Sequence, residues 1–104
     1  MTEEYVPYSL DWHGIAVAIN YAADWSPAFK EIYGHPMAHL EIRSLDGQPL
    51  PFTETGYRSH FTNAAAIEEA GGPVEFVRAW LDHDAHLPEW KEARAKRQQL
   101  AVSL

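Results

Sequence analysis

Hydrophobic and polar positions alternate most cleanly over residues 10–21, LDWHGIAVAINY. Ile15, Val17, Ile19 and Tyr21 interleave with Gly14, Ala16, Ala18 and Asn20. Period two predicts a strand with one large apolar face for packing and one small face that permits close approach. Trp25-Ser26-Pro27 breaks the pattern. Ser26 as N-cap and Pro27 at the first helical position predict one or two helical turns over 27–33, stopped by Gly34. A second strand follows over 37–44, with Ala38, Leu40 and Ile42 on one face and Met37, His39, Glu41 and Arg43 on the other. Asp46-Gly47 is a turn signal, and a third strand over about 51–60 completes a hairpin.

The period then changes. Asn63 or Thr62 can cap a short helix that ends near Gly71, and Pro73 opens a second helix with Val77, Trp80 and Leu81, beside Phe76, as its apolar stripe. Pro88 starts a third, whose acidic start and basic end complement the helix dipole. Only Trp90 and Ala93 give it an apolar face, so 87–104 reads as a peripheral helix. The expectation is a single α+β domain over 1–104. A small antiparallel sheet of about three strands (β-β-β) precedes two or three C-terminal helices packed on one face, and residues 1–9 form a flexible or loosely packed N-terminus.

Composition narrows the function. The chain has no cysteine, which removes disulfides and thiolate zinc sites and fits a reducing, cytoplasmic compartment. The acidic N-terminus does not read as a signal peptide, and no apolar run approaches the roughly 20 residues that span a bilayer. Residues 1–89 carry 14 acidic and 4 basic residues, while 90–104 carry Lys91, Arg94, Lys96 and Arg97 against Glu92. An acidic body repels phosphate backbones, so direct nucleic-acid binding is not expected, whereas a basic protein surface is a compatible partner. The four basic residues of the last helix are a weak case for DNA binding.

The densest chemistry lies in residues 50–61, LPFTETGYRSHF, where aromatic, hydroxyl and charged groups mix. With the second strand they define the expected binding surface: Thr53, Glu54, Thr55, Tyr57, Arg58 and His60, with His39, Glu41 and Arg43. Its composition depends on hairpin register. If paired positions sum to an odd number, His39, Glu41 and Arg43 share a face with Glu54, Arg58 and His60. If the sum is even, the partners become Thr53, Thr55 and Tyr57, and the cluster disperses. In the odd register His39, Glu41 and His60 are candidate metal ligands, a His–Glu pair could do acid–base work, and the two arginines could clamp an anion. Ordinary cross-strand ion pairs on a solvated face explain the same residues.

Other motifs carry less. His35 and His39 have H-x-x-x-H spacing, but Pro36 stands where a zinc protease needs glutamate. His83 and His86, one turn apart, suit either a metal or the negative end of a helix. Ser59 and His60 are neighbours on a strand and point to opposite faces, so they do not form a nucleophile–base pair. No phosphate loop or nucleophile elbow is present.

The stretches HLEIRSLDGQPLPFTETGYRSHF (39–61) and AGGPVEFVRAWLDHDA (70–85), with the motif LPxTETGYRSHF, resemble a family of small proteins associated with proteobacterial plasmids and other mobile elements. The resemblance brings no activity or catalytic residue. It implies a cytoplasmic bacterial accessory protein. The expectation is therefore a non-enzymatic protein-binding domain without a cofactor, an inhibitor or modulator of a nucleic-acid-binding or defence complex. The alternative is a small metal-dependent or acid–base enzyme built on His39, Glu41 and His60. Exposed sheet edges leave a homodimer open.

Overall fold

The computed structural model describes residues 4–103, with those at 98 and 100–103 described by backbone alone. Its elements are β1 (Val6–Trp12), β2 (Ile15–Ala22), α1 (Pro27–Tyr33), β3 (Met37–Ser44), β4 (Tyr57–Asn63), α2 (Ala64–Glu69), α3 (Pro73–Asp84) and α4 (Pro88–Ser103). The domain is α+β. Its sheet has four strands rather than three, in the order β1-β2-β3-β4, each antiparallel to the next.

The extra strand comes from the segment read as a single strand over 10–21. His13 and Gly14 both adopt positive φ, 51° and 83°, the backbone that a two-residue hairpin turn requires. The Asp11 carboxylate accepts from Gly14 N at 2.9 Å. Two turn residues shift the parity of the pattern, so Leu10 and Trp12 face the same way as Ile15, Val17 and Ile19. Residues 1–9 are thus not uniformly loose: Val6–Trp12 is a paired strand, and residues 1–3 lie outside the described residues.

Local signals delimit α1 and α3 as expected. Ser26 Oγ accepts from Phe29 N at 3.2 Å, Pro27 opens α1, and Gly34 closes it with a φ of 81°. Pro73 opens α3, which buries Val77 and Leu81. These two side chains and Ile67 of α2 pack onto Leu10, Trp12, Val17, Ile19, Leu40 and Ile42. The packing covers one sheet face only. On the other, Ser9, Asn20, Arg43, Ser59 and Phe61 are exposed. None of the described side chains of α4 is fully buried, and Trp90 meets Trp12 with ring centroids 6.1 Å apart. Among the described residues no helix is long and apolar enough to cross a membrane.

Candidate functional site

The last strand begins at Tyr57, not near 51, because the chain before it is tied into a loop. Leu50 and Thr53 exchange backbone hydrogen bonds of 2.8 and 2.9 Å. Thr53 Oγ1 and Thr55 Oγ1 both donate to Tyr57 O, at 2.8 and 3.3 Å. Ser44, buried at the end of β3, donates through Oγ to Gln48 O at 2.6 Å, and its N–H bonds Gly56 O at 2.8 Å. Hydroxyls in such short loops commonly satisfy backbone groups that no ladder reaches. Thr53 and Thr55 are therefore engaged in shaping the loop, while Glu54 is exposed at its tip.

The register that follows is the even one. His39 pairs with Phe61, Glu41 with Ser59 and Arg43 with Tyr57. Side-chain alternation then sends Arg58 and His60 to the helix-covered face. Arg58 donates to Phe52 O at 3.1 Å and lies over the Trp80 ring, 5.3 Å from its centroid. His60 packs against Trp80 at 4.6 Å and near Phe76. Burial, and secondarily the Arg58 charge, holds the His60 pKa below its ordinary value. The cluster of His39, Glu41, Arg43, Glu54, Arg58 and His60 expected for an odd register is thus divided between two faces and a loop. His39, Glu41 and His60 do not converge as metal ligands, and no such group of three occurs among the described residues. His83 and His86 instead contact Asp84 Oδ1 at 3.0 Å and Asp82 O at 2.7 Å around the end of α3.

The open face has its own constellation. His39 is buried, at 7 % exposure, although α2 and α3 pack on the opposite face of the sheet. Tyr5 OH lies 2.5 Å from its Nδ1 and Ser59 Oγ 2.6 Å from its Nε2. A neutral imidazole can donate to one of these hydroxyls while accepting from the other. The small face of β2 makes the arrangement possible: Ala22 pairs with His39, and its methyl group leaves room for Tyr5 to reach across. The Phe61 ring stacks on the imidazole at 4.2 Å and 8°, and Trp25 meets Phe61 edge-on at 4.8 Å. Beside this cluster Tyr57 OH donates to Glu41 Oε2 at 3.1 Å, and the Arg43 guanidinium lies over the Tyr57 ring. Burial, followed by the Glu41 carboxylate, raises the Tyr57 pKa.

Sequence reasoning names His39, Glu41, Arg43 and Tyr57 but not Tyr5, Ser59, Phe61 or Trp25 as members of this surface. Adjacency rules out Ser59 with His60, yet a neighbouring strand supplies His39. The readable signal is the row of small residues on β2, which announces close approach without saying by what.

Residues 5–90 match the family described as KlcB third domain, a span that takes in the whole sheet, the first three helices and Trp90. No curated protein and no solved structure matches the chain. Since the match extends over well more than half of its length, the chain belongs to the KlcB third-domain family.

Proposed function

We propose that this domain works by binding a protein partner through the open sheet face around Phe61, His39 and Trp25. One observation carries the reading: Phe61 keeps 45 % exposure while stacked on a fixed imidazole, on a face that α2 and α3 leave uncovered. A rigid, half-exposed aromatic cluster is the usual anchor of a protein interface. The net charge of −7 favours a basic partner surface. Among the described residues Glu31, Glu54, Glu68, Glu69 and Glu92 are exposed and enter no ion pair, so they are available to such a partner. A nucleic-acid-binding or defence complex is one kind of partner with such a surface, and the domain would inhibit or modulate it in the bacterial cytoplasm as the product of a mobile element.

The test compares proteins captured from a bacterial lysate by wild type, Phe61→Asp, Asn20→Arg and the distant control Leu87→Ser. Asn20 is exposed on the same face and is no member of the core cluster, and circular dichroism of its variant checks that the fold is kept. Loss of a basic partner with Phe61→Asp and Asn20→Arg, but not Leu87→Ser, supports the proposal. Capture of nothing, or of a partner indifferent to both open-face variants, overturns it.

A second reading rests on the 2.6 Å contact between exposed Ser59 and His39. The imidazole is placed to take the hydroxyl proton, as in nucleophilic catalysis. It keeps His39 from the expected His39–Glu41–His60 site and puts Ser59 in place of Glu41 and His60. A fluorophosphonate probe tests it: Ser59 Oγ bonds phosphorus, fluoride leaves and His39 receives the proton. Labelling that disappears in Ser59→Ala and His39→Gln supports this reading, and an unlabelled wild type ends it.

A further inference from the structure

Away from the sheet face, a cleft of about 490 Å³ separates α4 from the loop before β4. Leu50, Phe52, Trp90 and Ala93 give it apolar walls. Glu89, Ala93 and Arg97 line it at intervals of four residues, as one helix face must. At 1.5 Å per residue that face runs about 12 Å from the Glu89 end to the Arg97 end. The cleft thus has an apolar middle and opposite charges at its ends. Glu54 adds a further negative charge to its lining.

At the Arg97 end a second cavity of about 270 Å³ begins. It shares Pro49, Trp90 and Arg97 with the first and adds Arg94, His13 and Gln48. Arg94 and Arg97 are one turn apart and like-charged, so together they present a local concentration of positive charge on one side of α4. Neither has a carboxylate within ion-pair distance among the described residues. Arg97 does act on Asp46, whose carboxyl is held below its ordinary pKa first by Gln48 and more weakly by this charge.

We propose that the joined cavities bind a small organic anion with an apolar body. Its hydrocarbon or aromatic part lies against Leu50, Phe52 and Trp90, and its carboxylate or sulfonate head is held by Arg94 and Arg97. Glu54 and Glu89 exclude the reverse orientation. The acidic remainder of the chain repels anions in general, so the two guanidinium groups are needed for any such ligand to settle there. Apolar walls with a few convergent charged groups are the usual composition of a small-molecule site.

The test is calorimetric titration of the full chain with 8-anilinonaphthalene-1-sulfonate, then displacement by decanoate and by inorganic phosphate. One saturable site is expected, displaced by decanoate and much less by phosphate. The double substitution Arg94→Gln/Arg97→Gln should lower affinity by about tenfold or more, in line with the loss of charge-assisted hydrogen bonds. Lys96→Gln, which lines neither cavity, should change nothing. Both arginines are exposed, so circular dichroism of the double variant should match wild type. Unsaturable binding, equal displacement by phosphate, or an affinity unchanged in the double variant overturns the proposal.

Discussion

Replacing Gly56 by alanine combines two separable costs. The residue holds a φ of +80°, and a Cβ there would stand 2.5 Å from Ser44 Oγ and 2.8 Å from Gln48 O. The left-handed backbone alone costs an L-residue about 1–2 kcal/mol. Relieving the overlap means moving the Ser44 hydroxyl and the Gln48 carbonyl apart from the new Cβ, and the part-buried hydrogen bond between them is worth a further 1–3 kcal/mol or so. Gly34 supplies the control, because its φ is +81° and nothing lies within 4 Å of its would-be Cβ. Gly34→Ala should therefore lose about 1–2 kcal/mol, and Gly56→Ala about 2–5 kcal/mol. Urea unfolding of both variants reads the difference as a shift of midpoint at constant slope. Equal losses would refute the claim that this loop is packed against Ser44 and Gln48.

Three further outcomes follow from the same contacts. Tyr5→Phe and Ser59→Ala each leave one His39 ring nitrogen without its hydroxyl, and each should cost about 1–3 kcal/mol in the same unfolding assay. His60 has a folded-state pKa below the unfolded value of 6.5, so the unfolded chain binds its proton first on acidification. Its contribution is complete above about pH 6.5 and falls as pH drops through the lower folded value; His60→Gln should flatten the stability profile in that window. Trp12, at 3 % exposure, donates to Asp82 Oδ1 at 2.8 Å, and Asp82→Ala should cost about 1–3 kcal/mol by leaving the indole N–H unpaired, measurable as a lower melting temperature.

Features encoded within one turn of chain are legible in the sequence. Ser26, Pro27 and Gly34 delimit α1, and Pro73 opens α3, because caps and fixed φ angles act on neighbouring residues. The β1–β2 turn is also written in the chain, as a parity switch between Leu10/Trp12 and Ile15/Val17. It is hard to read because His13-Gly14 is an uncommon turn pair, so the segment passes for one strand. The candidate site is less legible for a different reason. Whether Arg58 or Ser59 joins His39 depends on a one-residue offset, and the offset is set by loop hydrogen bonds of Ser44 with Gln48 and Gly56 and of Thr53 with Leu50 and Tyr57, which span up to twelve positions. The contact of Tyr5 with His39 crosses an intervening strand, and local periodicity carries no information about it.

The whole arrangement of the open face depends on that offset. Cross-strand backbone NOEs between β3 and β4 test it most directly. The even register predicts contacts of His39 with Phe61, Glu41 with Ser59 and Arg43 with Tyr57. Contacts that pair His39 or Glu41 with Arg58 or His60 would contradict it, and would return the two histidines to one face.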